Sequence, residues 1–389
     1  MSAEHIISNG GDPVSLPSEA GNESTTKDRF RLGNRPPLTG IRAFGITTVL
    51  VYHANFKTWP GSWMAIQIFF VLSGFLITAM LSVEGRRNGR ISLKGFYSRR
   101  AVRLLPPLLL AIVGIAIFAS FVYVADASQR VWGDSAAALF YYADYRQAFG
   151  HAPFFGFFAQ TWSLSVEEQF YIIWSVLMVT AVAVGRRRLA YIFTITGLVL
   201  SNADRLWQTL SPPHFNTTVF TRTYYAFDTR ADALFLGCLL GLLATDNVLS
   251  NWKKRSTQLL SVAALLSVGF LIWILYTAPL FQERMIVLWI PATTVASAIM
   301  ITYFVVCPEG IGSRIVGLGF FVFIGDLSYT IYIVHWPVYV ALQPGSSGTH
   351  WPFWLTEIVR LLIIFAIAIG SWFLIEKPLA RWRKRSAAL

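Results

Sequence analysis

The stretch GIRAFGITTVLVYHANF, residues 40–56, is an apolar segment that contains both an arginine and a histidine. Arg42 and His53 are eleven residues apart, which is three helical turns plus about 20°. Both side chains therefore lie on one face of a helix, about 16 Å apart along its axis. Charged and titratable groups are expensive in lipid and usually functional. The alternative is that Arg42 reaches the interface and His53 is an interfacial polar residue.

The composition of the chain indicates a membrane protein. Of its 389 residues, 55% are hydrophobic and only 13% are charged, and the mean hydropathy is +0.53. Soluble domains are typically about 25% charged, so an ordinary water-soluble globule is excluded. The net charge of +12 does not indicate nucleic acid, because the basic residues cluster between apolar spans. Cys238 and Cys307 lie in or beside apolar spans and predict no disulfide framework.

Apolar stretches of about 20 residues recur from residue 41 to residue 376, which predicts an all-α, polytopic membrane helix bundle of about ten transmembrane helices. The predicted spans are 39–56, 62–83, 104–124, 165–184, 189–209, 231–246, 257–277, 286–306, 318–341 and 354–376. With the N-terminus inside, 24 of the 32 Lys and Arg residues lie on the inner side or in the first turn of span one. The positive-inside rule then predicts an N-in, C-in topology.

Both ends of the chain differ in composition from the spans. Residues 1–38 are rich in Ser, Thr, Gly, Asn and Pro, lack the apolar core of a signal peptide, and predict a disordered, basic N-terminal tail. We expect a membrane domain over 39–376 and a basic cytosolic C-terminal tail over 377–389. Two outer connections, about 125–164 and 210–230, are long. The first, which contains His151 and the run FFGFF at 154–158, predicts either a functional lid or an interfacial aromatic belt.

The segment WSLSVEEQFY, residues 162–171, brings two adjacent carboxylates to the outer start of the fourth span. Ser163, Glu167 and Tyr171 recur every fourth residue and form one stripe, with Glu168 beside it. One or both carboxylates are expected to face a polar cavity or to pair with a cation. The alternative is an Arg–Glu pair that only holds two helices together.

Two further polar groups interrupt the apolar spans. Asp228, Arg230 and Asp232 begin the sixth span and could supply the cation. Ser328, Tyr332 and His335 share one face of the ninth span, and this stripe is compatible with either a functional or a packing role.

The inner connection RRNGRISLKGFYSRRAVR, residues 86–103, carries seven Lys and Arg residues. It is an orientation signal, but Arg99, Arg100 and Arg103 also present two or three guanidiniums on one helical turn. This arrangement suits a bidentate grip on phosphates, and Arg42, near the inner end of the first span, could join it.

Taken together, these segments resemble the acyltransferase 3 family of integral-membrane acyltransferases, which includes polysaccharide O-acetyltransferases and macrolide acyltransferases. The resemblance covers about residues 38–385. It rests on Arg42-x10-His53, IFFVLSGFLIT (68–78), Arg100-x-x-Arg103 before Pro106, WSLSVEEQFY, Arg230-Ala-Asp232 before Gly237, SYTIYIVHWP (328–337) and IEKP (375–378).

The resemblance implies transfer of an acyl group, usually acetyl from acetyl-CoA, to a hydroxyl of a sugar-containing acceptor. It implies that His53 is an essential catalytic residue and that Arg42, Arg100 and Arg103 contribute to activity, through the nucleotide donor. Two positions depart from the pattern: Gln67 stands where many members have an acidic residue, and Gln160 where many have histidine. No C-terminal hydrolase-like domain of the kind some relatives carry is expected after the tenth span.

These observations combine into one mechanistic hypothesis. Acyl-CoA is the expected co-substrate, with no bound cofactor or metal, and its phosphates would engage Arg42, Arg99, Arg100 and Arg103. His53 would act as general base, or as nucleophile through an acyl-imidazole, with Glu167 or Glu168 orienting the imidazole. Tyr332 or Ser328 would donate to the oxyanion. Ser163, Arg230, Asp232 and His335 are predicted to line the acceptor cavity.

The partners and the location follow from the same hypothesis. The acceptor could be a cell-surface polysaccharide, peptidoglycan, a lipid-linked sugar or a glycosylated metabolite, and the location would be the bacterial plasma membrane. The competing function is a transporter or flippase in which intramembrane Arg, His and Glu couple protons or substrate. It does not account for the inner arginine cluster as a ligand site.

Overall fold

The computed structural model describes residues 33, 35–55, 57–122, 125–150, 156–212, 214–252, 254–342, 351–379 and 381. Within these residues the chain is helical and contains no strand, which confirms the all-α prediction. The predicted N-terminal tail (1–38) and C-terminal tail (377–389), as well as His151, lie largely or wholly outside the described residues. The domain boundaries therefore stay predictions.

Fourteen α-helices account for most of the described residues. They are α1 (Pro36–Ala54), α2 (Ala65–Asn88), α3 (Leu93–Val122), α4 (Ala125–Leu139), α5 (Ala143–Ala148), α6 (Trp162–Ala183), α7 (Arg187–Leu210), α8 (Thr217–Tyr225), α9 (Phe227–Thr245), α10 (Lys254–Thr277), α11 (Ile290–Val306), α12 (Ile311–Val316), α13 (Gly319–Ala341) and α14 (Phe353–Ser371). Turns of π-helix precede α11 and follow α14.

Each of the ten predicted spans is largely helical over the residues that the structure describes, and seven of them lie in helices that are long and apolar enough to cross a membrane. The other three, in α1, α7 and α9, do not meet this criterion of helix length, apolar composition and low charge. Ten crossings and the N-in, C-in orientation stay predictions. Large apolar side chains cover the perimeter, as on α10, where Leu265 is 71% exposed, and this is the surface expected to face lipid.

Glycines allow two pairs of helices to approach closely. At Gly237 of α9, an added Cβ would lie 2.1 Å from the carbonyl oxygen of Val71 on α2. At Gly325 of α13, it would lie 2.1 Å from the carbonyl oxygen of Thr39 on α1. Small residues at such crossings are typical of membrane helix packing. α1 and α13 run side by side in the same direction. His53 and His335, which lie toward the C-terminal ends of these two helices, are therefore next to each other.

The two long connections contain helices rather than extended loops. The connection 125–164 holds α4 and α5, and α8 lies in the connection 210–230. α5 packs against α6 and α8, so these segments form a helical layer beside the spans. Cys238 and Cys307 are free.

Candidate active site

Two imidazoles from different helices face each other at the ends of α1 and α13. The ring centroids of His53 and His335 are 4.9 Å apart. Nδ1 of His53 lies 2.9 Å from the carbonyl oxygen of Val49, and Nδ1 of His335 lies 2.7 Å from that of Tyr332. A carbonyl oxygen can only accept, so each neutral ring carries its proton on Nδ1. The lone pair of each ring is therefore on Nε2.

The carboxylates predicted to orient His53 have other partners. Glu167 accepts hydrogen bonds from Ser73 Oγ at 2.9 Å and from Tyr171 OH at 3.2 Å. Glu168 forms an ion pair with Arg100. Here the prediction differs from the structure, because the backbone carbonyl one helical turn before His53 already holds its Nδ1–H.

A cavity of about 400 Å³ lies between α1, α2, α3, α6 and α13, and neither His53 nor His335 is among the residues that line it. Its volume is within the range of roughly 300–1,000 Å³ that is typical of small-molecule sites. The predicted site residues that line it are Arg42, Arg99, Arg100, Arg103, Ser163, Glu167, Ser328 and Tyr332. The ring of Tyr332, which lines the cavity, contacts His335 with centroids 5.5 Å apart. The structure thus brings eight of the thirteen predicted site residues to one cavity, whereas His53, Glu168, Arg230, Asp232 and His335 are not among its lining residues.

The four cavity arginines fall into two groups. Arg100 is held by Glu168 and lies over the ring of Tyr171, with its Cζ 3.7 Å from the ring centroid. Arg99 forms an ion pair with Glu84 at 3.1 Å. Arg42 and Arg103 have no such carboxylate partner among the residues that the structure describes.

Arg42 and Arg103 form no hydrogen bond or ion pair with any residue that the structure describes. Both nevertheless line the cavity. Their guanidiniums are therefore the ones available to an anionic ligand, whereas Arg99 and Arg100 are already engaged.

The hydroxyls predicted to donate to an oxyanion are already engaged. Tyr332 OH donates to the carbonyl oxygen of Gln160, and Ser328 Oγ donates to that of Gly325 at 2.7 Å. The hydrogen bond between Ser163 and Tyr332 must then run from Ser163 Oγ to the tyrosine oxygen.

The Arg230 and Asp232 pair lies apart from the carboxylates of α6. Asp232 forms an ion pair at 2.8 Å with Arg205 of α7, and both side chains are fully buried. The guanidinium of Arg230 makes no hydrogen bond within the described residues and is surrounded by the rings of Phe70, Trp162 and Tyr224. The cation that faces Glu168 is thus Arg100, and not Arg230 as predicted.

Four contributors were not among the predicted site residues. Ser73 binds Glu167, and Tyr171 binds both Glu167 and Arg100. Trp336 packs edge-on against His53 with centroids 4.9 Å apart. Arg205 could have been noticed as a charged residue inside an apolar span, and Ser73 and Tyr171 lie within motifs already singled out.

Comparison with known proteins places the chain in a family. Residues 37–377 match the model of the acyltransferase 3 family, described as an acyltransferase domain. The chain is 30% identical over 358 residues to the peptidoglycan O-acetyltransferase OatA of Listeria monocytogenes, covering 89% of this chain and 56% of that protein. It is also 30% identical over 358 residues to the putative peptidoglycan O-acetyltransferase YrhL of Bacillus subtilis, covering 88% and 54%. The chain thus spans just over half the length of these relatives. No solved structure matches.

Proposed function

Because the chain belongs to the acyltransferase 3 family of multi-pass integral membrane proteins, we propose that it transfers an acetyl group from acetyl-CoA to a hydroxyl of a glycan. The names of the two O-acetyltransferase relatives support the group transferred and the chemical class of the acceptor. The family also favours an enzyme over the transporter alternative.

The observation that carries this proposal is the orientation of His53, which contacts His335, whose ring in turn contacts Tyr332 in the wall of the arginine-lined cavity. The Nδ1–H of His53 is held by the carbonyl of Val49, so Nε2 is free to accept a proton. In the proposed reaction, Nε2 takes the proton of the acceptor hydroxyl while the hydroxyl oxygen attacks the thioester carbonyl. The C–O bond forms, the C–S bond breaks, and the thiolate takes up the proton. General-base catalysis of this kind typically contributes about 10²–10⁴-fold in rate.

The donor would be held by the unpaired guanidiniums. Arg42 and Arg103 line the cavity without hydrogen-bonded partners among the described residues, and guanidinium groups bind phosphate in a bidentate manner. The apolar part of the cavity wall, which includes Ile66, Leu72 and Leu76, suits the uncharged arm of the thioester. Glu167 would keep the donor end of the cavity polar.

The test compares wild type with His53→Asn in membranes supplied with acetyl-CoA labelled in the acetyl group. An asparagine amide can still donate to Val49, so the variant removes Nε2 with little disturbance of α1. We expect label in a glycan fraction with wild type and a loss of about 10²-fold or more with the variant. The control is equal amounts of folded protein by size-exclusion chromatography. Full activity of His53→Asn would contradict the role of His53.

A wild-type protein that transfers no label to glycan from acetyl-CoA would contradict the choice of donor. In that case, pH-gradient-driven uptake of a sugar into vesicles would favour the transporter.

A further inference from the structure

The imidazole of His335 has a feature that packing alone does not explain. Its side chain is fully buried, with no exposed surface. Its Nδ1 is bound to the carbonyl of Tyr332, yet its Nε2 has no hydrogen-bond partner among the described residues. Buried polar atoms are nearly always paired, and an unpaired one calls for an explanation such as a catalytic role or an unseen ligand.

His53 offers Nε2 of His335 a natural partner. The two rings are 4.9 Å apart between centroids and inclined by 56°. Both rings are anchored in the same way, through Nδ1–H to a carbonyl of their own helix. Both Nε2 atoms are therefore acceptors when the rings are neutral, and a single added proton can be shared between them. A second proton is disfavoured, because two positive charges at this separation repel strongly away from water.

Few other groups around the pair change charge between pH 5 and pH 8. Tyr52 and Trp336 pack against His53, and Tyr332 and Tyr339 against His335. Free tyrosines lose their protons near pH 10 and tryptophan does not titrate. Behind Tyr339, Glu357 is ion-paired with Arg360. The two imidazoles are thus the groups at this place that can accept a proton from a substrate and return it.

We infer that His53 and His335 form a proton-sharing imidazole pair, in which His335 is a second proton carrier for acyl transfer. This inference rests on the proposed function. The proton leaves the acceptor hydroxyl for Nε2 of His53 as the C–O bond forms. It is shared with Nε2 of His335 while the tetrahedral intermediate exists, and it passes to the thiolate when the C–S bond breaks. The pair begins and ends neutral, and no further reactant is needed.

The first experiment is a double-mutant analysis of acetyl transfer with His53→Asn, His335→Asn and the combined variant. The asparagine amide at position 335 can still donate to the carbonyl of Tyr332, so only Nε2 is lost. We expect His335→Asn to lower kcat about 100-fold with a little-changed donor KM. Residues that act as a unit are non-additive, so the combined variant should be no slower than His53→Asn alone.

The matched control is Tyr339→Phe, which alters a ring packed against His335, with centroids 6.4 Å apart, without changing either imidazole. It removes the hydroxyl that donates to Glu357. We expect kcat within about threefold of wild type. A His335→Asn enzyme with near wild-type kcat, or losses that multiply in the combined variant, would overturn the pair.

A second measurement uses the unsubstituted protein and so does not depend on any variant folding. Nitrogen-15 NMR of histidine-labelled protein in detergent reports protonation of each Nε2, with the signals of the pair assigned through the two single variants or by selective labelling. We expect the pair to gain one proton in total, and no second one, as the pH is lowered from 8 until the protein unfolds. A gain of two independent protons would overturn the inference even if acetyl transfer is confirmed, whereas a wild-type protein without acetyl transfer would fail the proposed function instead.

Discussion

Arg100 of α3 and Glu168 of α6 form an ion pair at the wall of the cavity, with 19% and 12% of their side chains exposed. The same guanidinium lies over the ring of Tyr171. Arg100 is thus fixed by two neighbours before any ligand arrives. This arrangement suggests a structural contribution that the other cavity arginines do not make.

Removing Glu168 should therefore destabilise the protein. Removing one partner of a fully buried ion pair costs about 3–5 kcal/mol, and partial exposure reduces this, so we expect about 2 kcal/mol for Glu168→Gln. Thermal unfolding in detergent measures the loss. The Arg100→Gln, Glu168→Gln double variant should lose less than the sum of the two single variants, and simple addition would contradict a direct pair.

The guanidinium of Arg103, which has no hydrogen bond or ion pair within the described part of the chain, should contribute to donor binding and little to stability. A hydrogen bond to a charged group is worth about 1.5–3 kcal/mol, so Arg103→Gln should raise the acetyl-CoA KM about 10- to 100-fold with an unchanged melting temperature. The matched control is Arg99→Gln, because Glu84 already engages that guanidinium. Equal effects of the two variants on KM would contradict the distinction between Arg103, which is available to the donor, and Arg99, which is already ion-paired.

Two aspartates four residues apart on α9 should respond differently to neutralisation. Asp232 is buried and pairs with the buried Arg205, whereas the side chain of Asp228 is 53% exposed and pairs with Arg222. We expect Asp232→Asn to cost about 3–5 kcal/mol, since it leaves Arg205 uncompensated. Asp228→Asn should cost at most about 1 kcal/mol. Thermal unfolding and the yield of monodisperse protein distinguish the two, and similar losses would contradict the buried pair.

The contact between α2 and α9 should not tolerate a methyl group at Gly237. A Cβ there would overlap the carbonyl oxygen of Val71 at 2.1 Å, and overpacking typically costs about 1–3 kcal/mol. Gly269→Ala in α10 is the control, because nothing lies within 4 Å of its added Cβ. Melting temperatures that fall equally for both variants would show that the close approach is not limiting.

The helical layer that includes α5 should lose stability as the pH rises. Burial raises the pKa of Asp144 to about 7, whereas a free aspartate titrates near 3.9. The unfolded carboxyl releases its proton first, so stability is greatest below about pH 4 and is lost as the pH rises through 7. Asp144→Asn should flatten the melting temperature between pH 5 and pH 8, and an unchanged slope would contradict the assignment.

The helices were predictable from the sequence because their apolar stretches and their hydrogen bonds are local. The partners of the polar side chains were not. Arg205 and Asp232 lie on neighbouring helices, yet only their packing reveals the pair. His53 and His335 were each singled out, but their contact depends on how α1 and α13 align. The sequence likewise does not show that Nδ1 of His53 is bound to the carbonyl of Val49 and not to a carboxylate, because this depends on where the carboxylates lie in the folded protein.

The anchoring of both imidazoles to carbonyls of their own helices has an evolutionary consequence. A catalytic histidine oriented by a neighbouring carboxylate loses its alignment when that neighbour changes. Here Val49 and Tyr332 supply backbone oxygens, which survive substitution of their side chains. Under the proposed function, the walls of the cavity could therefore diversify toward new acceptors without re-establishing the direction of the two imidazole nitrogens, so one scaffold could serve many sugars while its reactive centre stays fixed.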